Sequence, residues 1–107
     1  MTMDQDQLNK KLLEAIETLG HEDVYDYLVM GADVNCKDEF GVSALEAAIE
    51  RCDFDMVNLL ITYCADLSLK GESGYLPHEL AKMFYVANKD PQQAKIYEFL
   101  NAKYESL

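Results

Sequence analysis

Two histidines and three cysteines are the side chains of this 107-residue sequence best suited to bind a transition metal. Zinc ligands of these types usually occur in closely spaced pairs such as Cys-x-x-Cys. His21 has no second histidine or cysteine within that spacing, and Cys36, Cys52 and Cys64 form no such pair. We therefore predict no metal site and no cofactor. His21 and His78 are expected to have structural or solvent-exposed roles.

Twenty aspartate and glutamate residues could supply general acids and bases. That chemistry requires two such groups that converge on one pocket, whereas these carboxylates are scattered along the chain. The sequence also lacks a glycine-rich phosphate loop, a G-x-S-x-G turn and an H-E-x-x-H helix. We predict that the protein is not an enzyme.

The formal net charge of −11 is unevenly distributed. Residues 1–37 contain eight acidic and three basic side chains, residues 38–70 seven and two, and residues 71–107 five and four. Such a field repels nucleic acids and anionic membranes and favours a basic partner. The alternative is that the charge only keeps the protein soluble.

The chain starts with MTMDQDQ, which has neither the basic nor the apolar part of a signal peptide. Its longest apolar run, from Met56 to Leu69, is interrupted by Asn58 and Asp66 and is shorter than the roughly 20 residues of a membrane span. We expect a soluble protein located in the cytoplasm.

The elements that must position all these side chains are short amphipathic helices. The stretch from Asp38 to Lys70 contains a turn at Gly41, one apolar stripe, a polar break and a second apolar stripe, which predicts a helix-turn-helix unit. Helices this short need neighbours to be stable. The unit also recurs, because Gly41 returns as Gly74 and the Gly-Ala-Asp run at 31–33 returns as Cys-Ala-Asp at 64–66, each 33 residues later. A fixed period of this kind is typical of stacked repeats.

These positions resemble the ankyrin repeat family. The residues that match the family pattern are Asp38, Gly41, Ser43, Leu45, Ala48, Val57, Leu59, Leu60, Ala65 and Asp66. Among the departures, Ala44 replaces a proline and Glu46 a histidine, so the hydroxyl to imidazole hydrogen bond that ties family repeats together is not expected in its usual form. Cys52 and Cys64 replace glycines, which favours small packing residues over disulfide partners.

The resemblance implies an all-α repeat fold, an ankyrin-type solenoid of about three helix-turn-helix repeats with short β-hairpin fingers. We expect one domain over residues 1–107, with repeat 1 at about 5–37, repeat 2 at 38–70, and repeat 3 with a C-terminal cap at 71–107. An unrelated helical bundle with a coincidental period is the alternative.

Within these repeats, apolar spacing predicts helices over 7–18 and from Asp23 to Met30, the first as a cap that faces water on one side. In repeat 3, the residues from Ala87 to Gln93 are expected to form a long loop. Asp90 and Pro91 then predict the start of the last helix, as N-cap and first helical residue.

The resemblance also implies where a partner binds, because the fingers and the ends of the first helices line the groove of an ankyrin array. The residues at these places are Glu39, Phe40, Val42, Glu50, Arg51, Glu72 and Tyr75. Phe40 is the apolar centre of this set, with the alternative that its ring folds back over the neighbouring finger.

Together these features predict a non-enzymatic, monomeric protein-binding module. The most concrete hypothesis is a stoichiometric inhibitor of a basic protein, such as an immunity protein or antitoxin that neutralises a toxin, since small acidic arrays resemble such proteins. The alternative is a regulatory adaptor that binds a cellular or host protein through the same groove. A nucleic-acid mimic is less favoured because the acidic residues form no regular stripe.

Overall fold

A computed structural model describes residues 3–107, which form six α-helices in three consecutive pairs. The helices are α1 (Gln5–Glu17), α2 (His21–Val29), α3 (Ala44–Glu50), α4 (Phe54–Thr62), α5 (Pro77–Asn88) and α6 (Pro91–Glu105). The first helices of the pairs, α1, α3 and α5, pack side by side, and α4 packs against α6 in a second row. The result is an elongated stack of 46 × 26 × 23 Å. The predicted array of helix-turn-helix units is therefore confirmed.

Polar side chains fix where these helices begin. Asp4 caps α1 by accepting a hydrogen bond from the Gln7 backbone N–H at 2.8 Å, and the Asp90 carboxylate accepts one from the Gln92 N–H at 2.7 Å. Pro91 is the first residue of α6, so the predicted start of the last helix is confirmed. The first two helices each begin two residues earlier than predicted, at Gln5 and His21.

The core is centred on α3, which lies between α1 and α5. Every residue from Ala44 to Ile49 is buried, and the three alanines of α3 leave room for a helix on each side. The large side chains that are almost completely enclosed come from all three pairs; they include Leu12, Ile16, Ile49, Met56, Leu60, Ile96 and Leu100. No pair could bury these groups alone, which explains why the repeats must stack.

Two loops project from the row of first helices. Finger 1, residues 37–43, is a minimal hairpin in which Lys37 and Ser43 form a single antiparallel bridge. Gly41 turns its tip with a φ of 85°, and the Asp38 carboxylate accepts the backbone N–H groups of Phe40 and Val42 at 2.8 and 3.0 Å. Finger 2, residues 70–76, is a turn closed by a 3.1 Å hydrogen bond from the Gly74 N–H to the Gly71 carbonyl.

The prediction of a long loop from Ala87 to Gln93 is wrong. Instead, α5 continues to Asn88, so that only Lys89 and Asp90 separate it from α6. The longer helix packs along α6, where the rings of Tyr85 and Tyr97 stack with centroids 6.4 Å apart. The apolar run from Met83 to Val86 cannot all face one side of α5, and Met83, Tyr85 and Val86 are exposed.

Two cysteines occupy the left-handed backbone region that normally favours glycine. Cys52 has a φ of 55° and is half-buried, while Cys64 has a φ of 68° and is exposed. The prediction of a packing role for Cys64 is therefore wrong. Cys64 follows α4 in a left-handed turn, a conformation that is strained for any residue with a β-carbon.

Replacing Cys64 by glycine is therefore expected to increase the free energy of unfolding by up to about 1 kcal/mol. Glycine removes the left-handed strain, and the greater freedom it gives the unfolded chain offsets part of that gain. Urea denaturation measures the change. Cys64→Ala is the matched control, because alanine keeps the β-carbon and should give no such gain. Equal stability of the glycine and alanine variants would contradict this account.

Candidate functional site

Six of the seven residues predicted to contact a partner are exposed. Phe40 at the tip of finger 1 exposes 72% of its surface, so the alternative in which its ring folds back over the neighbouring finger is excluded. Tyr75 exposes 43%, and Val42 is half-buried. The others that are exposed are Glu39, Glu50, Arg51 and Glu72. The surface available to a partner is thus both aromatic and acidic.

The structure brings some of these residues together and separates others. The two fingers are adjacent, because a β-carbon added to Gly41 would lie 3.9 Å from the Cβ of Glu72. Glu72 is also within electrostatic reach of Glu50. In contrast, Val42 and Tyr75, which occupy equivalent positions in the two fingers, line different depressions.

The larger depression is a groove of about 530 Å³ between α1, finger 1 and the middle of α3. Leu13, Val42 and Ala47 contribute apolar surface to it. The charged groups around them are five carboxylates and two ammonium groups, from Asp6, Glu14, Glu17, Asp38, Glu39, Lys10 and Lys37. The groove is therefore apolar at its floor and mainly acidic at its walls.

Most of this groove was not predicted, since α1 was interpreted as a solvent-facing cap. A signal was present: Asp6, Lys10, Leu13 and Glu17 follow one another at spacings of three or four residues. Residues at that spacing share one face of a helix. The polar face of α1 is the wall of the groove.

Finger 2 is held in place by a buried carboxylate. Glu46, only 1% exposed, accepts hydrogen bonds from the Ser43 N–H at 3.3 Å and from the Ser73 N–H at 3.2 Å. The Ser73 hydroxyl donates a further bond to the same carboxylate. Glu46 thus joins the start of α3 to the next finger, although the sequence had indicated that the usual tie was lost.

A second link between repeats lies at the end of the groove. Arg51, the residue that ends α3, forms an ion pair with Glu17 near the end of α1. His21 also contacts the next repeat, with its Nε2 atom 2.8 Å from an Asp53 carboxylate oxygen. His21 therefore has a structural role between repeats, as predicted.

A model of the family described as ankyrin repeats (many copies) matches residues 12–61, from α1 to the last turn of α4. The match covers the second half of α1, all of α2 and α3, finger 1 and the turn at Cys52. The matched residues belong to the ankyrin repeat family, and the fold is that of an ankyrin-type array. A search of curated proteins gave no match to it. Ankyrin repeats bind other proteins, and they are generally not enzymes.

The remaining chemistry of the ankyrin array is limited. In residues 3–107, no three His, Cys, Asp or Glu side chains converge in a way that could hold a metal ion. Burial raises the pKa of the Cys36 thiol to about 11, which keeps it in the unreactive protonated form at neutral pH. Among the helices of the same residues, none has both the length and the apolar character to cross a bilayer.

The pKa of the Glu50 carboxyl is raised above its ordinary value. Partial burial is the largest cause, and three neighbouring carboxylates add to it, while the guanidinium of Arg51 opposes it. The three are Glu46, Glu17 and Glu72. Since a raised pKa means that the folded state holds the proton more tightly, the charged form of Glu50 destabilises the fold above that pKa.

Replacing Glu50 by glutamine is accordingly expected to stabilise the ankyrin array at pH 7, by roughly 0.2–1 kcal/mol because the group is largely exposed. The gain should shrink as the pH falls through the folded pKa towards the ordinary value of 4.5. Urea titrations between pH 7 and pH 4.5 test this. Glu98→Gln on α6 controls for the loss of one charge, and a Glu50 variant that gains no more than this control would contradict the prediction.

Proposed function

We propose that this ankyrin array is a stoichiometric inhibitor of a basic protein, of the type represented by immunity proteins and antitoxins. The observation that supports it is the exposed ring of Phe40 beside an acidic groove with an apolar floor. An aromatic side chain that becomes buried contributes affinity, while the surrounding carboxylates accelerate association with a cationic surface.

In this proposal the partner lies across the fingers and the ends of the first helices. Phe40 and Tyr75 set the dissociation rate, and Glu39, Glu50 and Glu72 mainly set the association rate. Val42 and Arg51 also lie at this interface. The contribution of the exposed charges to binding declines as salt screens them, whereas the contribution of the aromatic side chains to affinity remains.

The test begins with the partner captured from the source cell by the immobilised array and then purified. The expected partner is basic, binds with a stoichiometry of one to one, loses its own activity on binding, and associates more slowly as salt is raised. An acidic or neutral partner, or one that stays fully active when saturated, would contradict the inhibitor proposal.

A regulatory adaptor is the second candidate, favoured specifically by the 72% exposure of the Phe40 ring. If apolar contacts dominate recognition, affinity depends on Phe40 and Tyr75 while the acidic residues matter little. Binding that is insensitive to salt, to a partner whose activity the array leaves intact, would identify this role.

Truncating Phe40 to alanine is expected to weaken binding of the partner by more than about 1 kcal/mol, because the ring is lost from the centre of the interface. Stability should be unchanged, since the ring is largely exposed. Titration calorimetry measures the affinity and urea denaturation the stability. Tyr25→Ala is the matched control, because Tyr25 is also an exposed aromatic residue but lies on α2, outside the row of first helices. Equal affinities of the two variants would show that the surface is assigned incorrectly.

A further inference from the structure

The groove between α1 and finger 1 combines two kinds of surface within a short distance. Leu13 and Val42 are half-buried and Ala47 is buried, so the floor is apolar but still partly open to solvent. Glu14 and Glu17 border it from α1, and Glu39 from finger 1. Such a floor favours an apolar side chain, and such walls favour positive charge on both sides of it.

Two of these wall carboxylates already pair with cations of the array itself. The Lys11 ammonium lies 3.8 Å from Glu14, and the second pair joins α1 to the end of α3. The guanidinium of Arg51 pairs with Glu17, and both side chains are about half exposed. An exposed pair of this kind contributes at most about 1 kcal/mol and is readily exchanged. A guanidinium supplied from outside can therefore replace that of Arg51 at Glu17.

The lysines near the groove neutralise its walls only in part. The Lys37 ammonium donates to the Lys70 carbonyl at 3.0 Å, which directs it towards finger 2. Lys10 stands on α1 among the acidic residues. The lining holds five carboxylates against two ammonium groups, and Lys11 and Arg51 pair with two of the five. The groove therefore keeps a small net negative charge, which complements a basic segment.

We propose that this groove binds a segment of the partner in which one apolar side chain is flanked by lysine or arginine, with an arginine of that segment replacing Arg51 at Glu17. The inference rests on the proposed function and specifies the partner's chemistry. The apolar side chain contacts Leu13 and Val42. Arg51 then acts as an internal competitor of the partner rather than as a contact that strengthens binding.

The first test uses fluorescein-labelled peptides and fluorescence anisotropy at low salt. The probe has a central leucine between two Lys-Arg pairs. In one control peptide serine replaces the leucine, and in the other glutamine replaces the four basic residues. The probe should bind with saturation. The serine control should bind about tenfold more weakly or worse, because burial of a leucine side chain accounts for such a factor. The glutamine control should bind similarly weakly, because it lacks the charges that complement the walls. Equal binding of the probe and either control would overturn the proposal.

The second test uses variants of the array with the same probe. Val42→Ser should weaken binding about tenfold, by removing apolar surface from the floor. Val86→Ser is the matched control, since Val86 is 60% exposed on α5 and does not line the groove. Circular dichroism verifies that both variants are folded. A Val42 variant that is folded and binds the probe as tightly as the Val86 variant would place the segment elsewhere.

The third test replaces Arg51. The expected change in affinity is an increase, which a merely structural role of Arg51 would not produce. Arg51→Gln should tighten binding of the probe, by about two- to fivefold, because Glu17 loses its internal counter-ion. Unchanged or weaker binding would overturn the assignment of Arg51 as a competitor.

The outcomes separate this inference from the proposed function. If the natural partner depends on Phe40 but the peptide binds the Val42 and Arg51 variants like the parent, the groove assignment fails and the proposed function stands. If the peptide behaves as expected but the natural partner is not basic, the proposed function fails and the groove assignment stands.

Discussion

Replacing Leu60 by alanine is expected to lower the free energy of unfolding by roughly 2–5 kcal/mol, since it creates a cavity in the core. Leu60 is completely buried on α4, which packs against both α3 and α6. Because repeats 2 and 3 both lose contacts, we expect the whole array to unfold in one transition. Thermal and urea denaturation followed by circular dichroism measure the effect.

Leu59 provides the matched control for this prediction. It precedes Leu60 on the same helix and is only half-buried, so Leu59→Ala should cost clearly less. Two results would mean that the buried face of α4 is assigned incorrectly. One is a melting temperature of the Leu60 variant within a few degrees of the parent, and the other is a free energy of unfolding no lower than that of the Leu59 variant.

The second large effect is expected at Gly71, which lies against the buried carboxylate that holds finger 2. A β-carbon at position 71 would be 1.5 Å from the Oε1 atom of Glu46, so alanine must displace that side chain. The displaced carboxylate no longer accepts the hydrogen bonds of Ser73. We expect Gly71→Ala and Glu46→Ala each to destabilise the array by about 1–3 kcal/mol, since both leave buried donors unpaired.

A double-mutant cycle provides the decisive measurement for this pair. With Glu46 already shortened to alanine, the space beside position 71 is free, so adding Gly71→Ala should cost little more. Urea denaturation of the parent, the two single variants and the double variant gives the coupling energy. Additive losses would show that Gly71 and Glu46 act independently.

Local patterns predicted most of the fold. The 33-residue period and the two apolar stripes are visible in the sequence without knowledge of which residues pack together. Asp90 with Pro91 marks a helix start by local hydrogen bonding alone. The length of α5 could not be predicted in this way. Whether the residues after Val86 form helix or loop depends on their packing along α6, which an apolar run does not reveal.

The candidate site was predicted less completely, for a similar reason. The exposure of Phe40 follows from its place at a finger tip, but the role of Glu46 depends on a glycine 25 positions later that leaves room for its carboxylate. The groove depends on the polar face of α1, whose partner surface on finger 1 is distant in the sequence. Such contacts between repeats appear only in three dimensions.

The three helix pairs follow one another along the 46 Å axis, and the negative charge is concentrated in the first two. This arrangement gives the molecule an electric dipole moment roughly parallel to its long axis. A cationic protein at a distance will therefore rotate the array so that its N-terminal end arrives first, before any contact forms. In that encounter repeat 3 points away from the approaching protein. A dye or a surface linker for kinetic measurements is therefore best attached at the end of α6.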